Sequence, residues 1–140
     1  IRRVKPDVLM CQDSTMRYSG QRYINHPDHI AAGEAALAAV FPSARDIKTF
    51  PELLAEGLEP HITPEIYIYG AREADLWVDI SDTIETKIAA LKEHKSQVGD
   101  NDEKLAEMMH EWGRESARLH PHRPDDFGEY AESFKYMKLG

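Results

Sequence analysis

The feature that most constrains the fold is a short apolar segment, Asp7-Val8-Leu9-Met10-Cys11, which is followed by a polar loop and then by a helix. Short apolar runs of this kind are typical of parallel strands that are buried on both faces of a sheet. The loop covers residues 12–25 and contains Ser14, Ser19 and Gly20. Because open α/β sheets bind ligands beyond the carboxyl ends of their strands, this loop is expected to border a binding site.

A helix is predicted over residues 27–40, directly after this loop. Pro27 has the φ angle that suits a first helical turn, and Asn25 or His26 can serve as the N-cap. Large apolar side chains recur at helical spacing and give the helix one side that can face the core; they belong to Ile30, Leu37 and Phe41.

Two histidines lie where this helix begins, in the sequence Asn25-His26-Pro27-Asp28-His29. Asp28 falls in the first turn, where the helix dipole favours a negative charge. The same dipole disfavours a positive imidazolium and so favours neutral rings at His26 and His29, the form that binds metals. A His-x-x-His pair is nevertheless more often a capping or surface feature than a metal site, so the motif alone leaves both interpretations open.

Alternating apolar residues predict two further strands, at residues 65–69 and 76–80. A short helical turn at residues 52–56 is predicted to end at Gly57, which is a common C-terminal helix signal. The tail, residues 127–140, is predicted to form a last strand or an arm.

Two more helices are predicted between the last of these strands and the tail. Asp82 can cap the first helix, and Glu85 completes an acidic version of the capping box. The second helix has an apolar side that predicts core packing, formed by Leu105, Met108, Met109, Trp112 and Leu119. This alternation of strands and helices favours an α/β fold with a partly parallel sheet.

Charge and composition narrow the class of partner and the compartment. The chain has 140 residues and a net charge of −8, and its only short basic group is Arg2-Arg3-Val4-Lys5, so a nucleic-acid partner is not expected. No apolar run approaches the ~20 residues that span a bilayer, so a membrane partner is not expected either. The single cysteine, Cys11, fits a reducing compartment, and we therefore expect a cytoplasmic protein.

The first residues, Ile1-Arg2-Arg3-Val4-Lys5-Pro6, have the character of the basic last turn of a helix that is closed by a proline. A helix represented by its last turn alone indicates a larger fold, so we expect residues 1–140 to be part of a domain. A sheet that lacks its neighbouring strands would expose an unpaired hydrogen-bonding edge and apolar surface.

Residues 25–33, which include both histidines, and residues 41–46, Phe41-Pro42-Ser43-Ala44-Arg45-Asp46, carry a resemblance to a known family. They look like the second motif of the LmbE-like (PIG-L) zinc deacetylases. Further segments are similar to those that follow in bacterial members, in the same order and with compatible spacing; they are residues 50–54, 77–81, 87–91 and 94–97.

The resemblance implies a Rossmann-like layered α/β fold with a mostly parallel sheet, of which residues 1–140 would be the C-terminal portion. It also implies a zinc-dependent hydrolase that removes an N-acetyl or other N-acyl group from an amino-sugar conjugate containing glucosamine. We further expect a homo-oligomer. Two alternatives stay open: a non-catalytic α/β module whose histidines shape a sugar pocket, and a different metal-dependent amidohydrolase.

Carried over residue by residue, the resemblance makes His29 a zinc ligand through a neutral ring nitrogen. It places His26 beside the scissile amide, where the ring would donate to the oxyanion or protonate the leaving amine. Asp46 resembles the acid that orients His26, although capping of a turn is an equally good interpretation. Asp28 is expected to hold the loop or a ligand in place.

One motif of the family has no counterpart in this chain. Family members carry an earlier His-Pro-Asp-Asp motif, which supplies two zinc ligands and the carboxylate that activates water, and nothing before Asp7 matches it. The sequence His122-Arg123-Pro124-Asp125-Asp126 differs by an inserted arginine and follows a predicted helix, so it is interpreted as a solvated loop. The general base and the other zinc ligands are therefore expected to lie outside residues 1–140.

Overall fold

The computed structural model describes residues 1–99 and 101–140, and it divides into two compact units. The first unit contains Ile1–Asp75 and Phe134–Gly140, and the second contains Leu76–Ser133. Each unit combines strands with helices, so the α/β class expected from the sequence is confirmed. Among the described helices, none is both long and apolar enough to cross a membrane.

The first unit contains the elements that surround the histidine pair. In chain order they are β1 (Val8–Gln12), β2 (Tyr18–Ser19), β3 (Tyr23–Ile24), α1 (Pro27–Ala38), α2 (Pro51–Ala55) and β4 (Glu65–Tyr69). The unit also includes residues 134–138 of the last strand, β6 (Ala131–Lys138). The predicted strands, the helix from Pro27 and the short helix before Gly57 are therefore present, and the tail forms a strand.

The pairing of these strands is mixed. Strands β1 and β4 are parallel, in a register that sets Val8 opposite Glu65 and Gln12 opposite Tyr69. Strands β4 and β6 are antiparallel, with Tyr69 opposite Phe134. Residues 12–25, predicted as a loop, contain the short antiparallel pair β2 and β3.

The core of the first unit lies on one face of this sheet, under α1. Its buried members are Cys11, Val40, Ile66 and Ile68, and the partly buried Leu37 packs against them. Gly33 brings α1 close to the end of β1, because a Cβ atom at this position would lie 2.4 Å from the carbonyl oxygen of Gln12. A glycine is thus required where the helix meets the carboxyl end of the strand.

The helix ends at Ala38 and is followed by an irregular turn, Ala39–Ser43. Phe41 is extended there, with φ −145° and ψ 128°, because the ring of the following Pro42 disfavours helical geometry in the residue before it. Phe41 is 63% exposed, so its predicted place on the apolar side of the helix is wrong.

Strand β1 is paired with β4 on one side, and no described strand pairs with its other edge. Only one of its faces is covered: Cys11 is buried, whereas Val8 and Met10 are 47% and 58% exposed. The expectation of a strand covered on both faces is therefore wrong for the residues described. The unpaired edge and exposed apolar face expected of a partial sheet are present.

The second unit contains β5 (Leu76–Asp79), α3 (Ile84–Lys92), α4 (Lys95–Val98), α5 (Asp102–Arg118) and the first residues of β6. Its core is formed where α3 packs on α5, by Ile84, Ile88 and Met109 with the partly buried Tyr130. The side chain of Asn101 caps α5 by accepting a hydrogen bond from the N–H of Lys104 at 2.9 Å.

Helix α5 buries a narrower stripe than the sequence predicts. Its buried residues recur at four-residue intervals, at Leu105, Met109, Gly113 and Ala117. The remaining apolar residues lie beside this stripe, and the prediction that they pack in the core is wrong; Met108, Trp112 and Leu119 are 38%, 62% and 63% exposed.

The predicted cap of α3 is also wrong. The N-cap residue is Thr83, and no side chain caps the helix by a hydrogen bond. The N–H of Thr83 instead donates to the carbonyl oxygen of Ile80 in a turn that delays the helix by one residue. Glu85 consequently lies at the second helical position, where it cannot complete a capping box with Asp82.

Candidate functional site

Both histidines lie where α1 begins. His26 is the N-cap residue, with an extended backbone (φ −65°, ψ 135°), and Pro27 occupies the first turn. The ring centroids of His26 and His29 are 5.6 Å apart, with the ring planes at 43°. Both side chains are exposed, and among the described residues neither ring takes part in a hydrogen bond. Their nitrogen atoms are thus accessible to an external ligand.

Asp28 is exposed in the first turn of α1, as the sequence predicts. Its Oδ1 atom accepts a hydrogen bond from the backbone N–H of His29 at 3.0 Å. The carboxylate therefore lies at the positive end of the helix dipole and contacts the backbone of the proposed ligand residue.

Asn25 does not cap the helix; it anchors the preceding loop. The side chain is 4% exposed, and its amide nitrogen donates to the carbonyl oxygen of Met16 at 2.8 Å. Its Oδ1 atom accepts a hydrogen bond from the hydroxyl of Tyr23 at 3.1 Å, and its backbone N–H donates to Arg17. The loop is thereby held at the residue immediately before His26.

Gly33 fixes the position of the histidines relative to the sheet. His26, His29 and Gly33 share one stripe of α1, as their spacing predicts. A Cβ atom at Gly33 would also lie 3.2 Å from the backbone nitrogen of Ser14. The stripe is therefore in close contact with the chain leaving β1, and the histidines lie at the carboxyl end of this strand.

Asp46 lies in the segment after α1 and is exposed. Its Oδ1 atom accepts a hydrogen bond from the N–H of Lys48 at 2.8 Å, so the carboxylate caps a turn. No hydrogen bond joins it to His26 among the described residues. Turn capping is thus present, and the orienting role that the family resemblance implies stays a prediction.

Arg2 is a residue whose importance the sequence analysis missed. Its side chain is 4% exposed and donates hydrogen bonds to backbone carbonyl oxygens of the segment after α1; these belong to Ser43, Ala44, Asp46 and Thr49, at 2.7 to 3.2 Å. The first residues form a single turn in which the N–H of Lys5 donates to Ile1. The segment that carries Asp46 is therefore held by a buried guanidinium.

Asp13, directly after β1, is a second residue that the sequence analysis missed. The carboxylate accepts hydrogen bonds from the N–H and hydroxyl of Thr15 at 2.7 and 2.6 Å, and from the N–H of Arg72 at 3.3 Å. Burial acts to raise the pKa of Asp13, but these hydrogen bonds and the positive charge of Arg72 outweigh it, and the pKa lies below its ordinary value. The signal that could have identified Asp13 is an aspartate that follows a buried strand and has a threonine two residues later.

A cavity of about 430 Å³ opens beside Asp13, within the first unit. Residues 13–15, after β1, and residues 71–73, after β4, form its rim. Because β1 and β4 are parallel, the loops that follow them meet at the same edge of the sheet. The start of the loop after β1, which is expected to border a binding site, thus lines this cavity.

Among the described residues, no three His, Cys, Asp or Glu side chains are grouped closely enough to hold a metal ion. The segment that contains His122, Asp125 and Asp126 is exposed, as expected of a solvated loop. The histidine pair of α1 by itself thus falls short of the three protein ligands that a catalytic zinc ion usually has.

No family model matches the chain. A curated relative, the diacetylchitobiose deacetylase of Thermococcus kodakarensis, is 33% identical over 97 residues. The match covers 69% of this chain but 34% of the relative, so the chain spans about a third of that protein's length.

Two solved structures share the fold. The N,N'-diacetylchitobiose deacetylase from Pyrococcus horikoshii, in complex with its inhibitor MPG, superposes with a TM-score of 0.76 and 27% identity over 98% of this chain and 48% of its own. The 4-carboxy-2-hydroxymuconate hydratase GalB from Pseudomonas putida KT2440 has a TM-score of 0.65 and 18% identity, and covers 99% of this chain and 55% of its own. Identity as low as that of the second structure supports the fold alone.

Proposed function

Because the chain belongs to the LmbE-like (PIG-L) deacetylase family, we propose that it is part of a hydrolase that removes an N-acetyl group from a glucosamine-containing substrate. The observation that carries the proposal is the histidine pair, held where α1 meets the carboxyl end of β1 with both rings accessible. The names of the two matched deacetylases indicate an N-acetylated amino sugar as the substrate class.

We also propose that residues 1–140 are the C-terminal portion of a single LmbE-like domain. Both matched deacetylases are longer than this chain, which covers 34% and 48% of them. The free edge of β1 and the exposed Val8 and Met10 give such a domain a place to continue its sheet.

Zinc is the proposed cofactor. The donor set fits in part: His29 offers an accessible imidazole, whereas a catalytic zinc usually has three protein ligands, and the described residues contain no cluster of that size. We therefore propose that His29 holds the metal together with groups from outside residues 1–140. A bound zinc ion lowers the pKa of its water and polarises a carbonyl group.

His26 is proposed to act on the substrate. Its ring is 5.6 Å from that of His29, so a group bound at His29 lies within reach of the His26 nitrogens. There the ring would donate a hydrogen bond to the oxygen that becomes negative during attack, or would protonate the leaving amine. Asp28 would support His29 through the backbone contact, and Asp46 would support the segment after α1.

The test is to purify the full-length protein that contains these residues and to measure its zinc content and acetate release from N,N'-diacetylchitobiose. We expect one zinc ion per chain and catalytic acetate release that stops when the metal is chelated. A protein that binds the sugar but releases no acetate with zinc supplied would instead support a non-catalytic sugar-binding module.

A further inference from the structure

The cavity beside Asp13 is closed off from the histidine pair along α1. Leu37 lines the cavity, and Gly33 lies between Leu37 and His29 on the same side of the helix. At Gly33 the helix packs so closely on the chain leaving β1 that a Cβ atom would lie 2.4 Å from the carbonyl oxygen of Gln12. A molecule in the cavity therefore cannot reach the histidines along this side of α1, and its chemistry has to be inferred from the lining of the cavity itself.

The cavity has the position and size of a small-molecule site. It lies beyond the carboxyl ends of β1 and β4, where α/β sheets bind ligands. Its volume of about 430 Å³ falls within the ~300–1,000 Å³ of typical ligand pockets. One wall is apolar and is formed by Leu37, Ile68 and Ala71. A ligand with an apolar part can bury that part against this wall.

Four charged side chains, two of each sign, also line the cavity; they belong to Asp13, Arg72, Glu73 and Lys135. Because these charges cancel, a ligand with a net charge finds no excess of the opposite charge here. A ligand that carries one positive and one negative group can instead be matched at both ends.

One group of each sign is already paired within the protein. The carboxylate of Asp13 accepts hydrogen bonds from the N–H and hydroxyl of Thr15 and from the backbone N–H of Arg72. The amino group of Lys135 is paired with Asp75 at 2.5 Å. These two charges therefore hold the loops and strand around the cavity.

The other two groups, Arg72 and Glu73, make no ion pair among the described residues, although they are neighbours in the chain. The guanidinium of Arg72 donates to the carbonyl oxygen of Tyr18 at 3.2 Å and lies 5.5 Å from the centroid of the Tyr18 ring. It is thus held in place and still keeps further N–H donors. The carboxylate of Glu73 has no hydrogen-bond partner among the described residues. One cation and one anion of this cavity are consequently available to a ligand.

We propose that this cavity binds a zwitterionic α-amino acid with an apolar side chain. The carboxylate of the ligand accepts hydrogen bonds from the guanidinium of Arg72, whose planar donors match a carboxylate. The ammonium group of the ligand donates to Glu73. The side chain of the ligand lies on the apolar wall. The inference does not rest on the proposed deacetylase function, because no part of it involves the histidine pair.

The first test is calorimetric binding of L-leucine to the full-length protein, compared with two analogues that each lack one charged group. The analogue 3-methylbutan-1-amine lacks the carboxylate, and 4-methylpentanoate lacks the ammonium group. We expect L-leucine to bind with a Kd of about 1 mM or lower. Each analogue should bind at least ~10-fold more weakly, as for the loss of one hydrogen bond between charged groups.

The second test repeats these titrations with Arg72→Gln and Glu73→Gln, and with Glu34→Gln as the control. Glu34 is an exposed glutamate of α1 that does not line the cavity. In Arg72→Gln, L-leucine should bind no more tightly than the amine, because the carboxylate has lost its partner. In Glu73→Gln, L-leucine should bind no more tightly than 4-methylpentanoate. The control should match wild type with all three ligands.

Three results would overturn the proposal. The first is equal affinity for L-leucine and 4-methylpentanoate in the wild-type protein, which would make the cavity a site for anions. The second is binding of L-leucine that survives both substitutions but is lost in His29→Ala, which would place the amino acid on a metal ion held at His29. The third is the absence of saturable binding at concentrations on the order of 10 mM. A protein that binds L-leucine as expected but releases no acetate would reject the deacetylase function and leave this site intact.

Discussion

The start of α1 and the loop after α5 carry similar residues, but the structure uses them differently. The first contains His26, Asp28 and His29, and the rings of its two histidines have no hydrogen-bond partners among the described residues. In the second, the N–H of His122 donates to Nδ1 of His120 at 3.2 Å. The ring that takes part in local structure after α5 is thus that of His120, whereas both rings at the start of α1 are left accessible.

The difference lies in what holds each segment. At α1 the anchors are the buried Asn25 and the close contact of Gly33, and neither uses a histidine ring. After α5 the ring of His120 is itself an anchor, because it stacks on Trp77 at 5.2 Å and meets Phe127 edge-on. At the start of α1, where other residues hold the segment, both imidazoles stay available for chemistry.

The largest expected effect separates the two regions directly. His29→Ala in the full-length protein should reduce acetate release to background and lower the zinc content, because it removes the proposed metal ligand. His122→Ala, the matched control, should change activity less than about twofold, since surface substitutions are nearly neutral. Metal analysis of the purified variants checks both; undiminished zinc in His29→Ala would remove this residue as a ligand.

The next effect concerns the other ring of the pair. His26→Ala should keep its zinc but slow turnover by ~10²–10⁴, the usual cost of losing a proton donor or an oxyanion partner. Steady-state kinetics and metal analysis on the same preparation measure the two quantities. If zinc disappears together with turnover, the roles assigned to His26 and His29 are reversed.

Local patterns in the sequence were enough to place most of the first unit and the histidine pair. Strands β1 and β4 follow from apolar runs, and α1 follows from a proline and helical spacing, because these signals depend on neighbouring residues. The hydrogen bond between Asp13 and Arg72 joins residues 59 positions apart, and Arg2 contacts carbonyl groups 41 to 47 positions away. Such contacts depend on the fold and leave no periodic signal.

The dependence of burial on contacts between distant residues also explains the errors in the second unit. Spacing identified an apolar side of α5, but which of its residues are buried depends on where α3 and Tyr130 pack. Trp112 therefore belongs to the predicted pattern and is still 62% exposed. The cytoplasmic location and the homo-oligomer likewise depend on properties that a single chain does not carry, and they stay predictions.

A smaller effect should appear in stability when the anchor of α1 is altered. Gly33→Ala would place a Cβ atom 2.4 Å from the backbone oxygen of Gln12. The helix must shift to relieve this clash, and the free energy of unfolding should fall by ~1–3 kcal/mol. Gly113→Ala in α5 is the matched control, because its Cβ would lie 3.1 Å from Cδ1 and 3.2 Å from Cβ of Tyr130, contacts that are much less close than the one at Gly33. Urea unfolding measures both.

Gly113→Ala should change the free energy of unfolding by less than ~1 kcal/mol, since alanine also favours the helix by about that amount. Gly33→Ala should in addition weaken zinc binding, because the histidine stripe must shift away from β1. Equal destabilisation by the two variants would show that the contact at Gly33 does not position the pair.

The smallest effect is a pH dependence that originates at Asp13. The pKa of this carboxylate is lower in the folded protein than in the unfolded chain, where an aspartate has a pKa of about 3.9. The folded state therefore binds the proton less readily, so ionisation of Asp13 stabilises it fully above the unfolded pKa. This contribution is lost as the pH falls from there through the lower folded value.

Asp13→Asn should accordingly lose less stability than wild type as the pH falls from about 5 to the value at which the protein unfolds in acid. Asp125→Asn, in the exposed loop after α5, is the matched control and should leave the slope unchanged. Urea unfolding at a series of acidic pH values gives the slope for each protein. If Asp13→Asn leaves the slope unchanged, the hydrogen bonds from Thr15 and Arg72 do not hold the Asp13 carboxylate in its charged form, and the loop after β1 is anchored in another way.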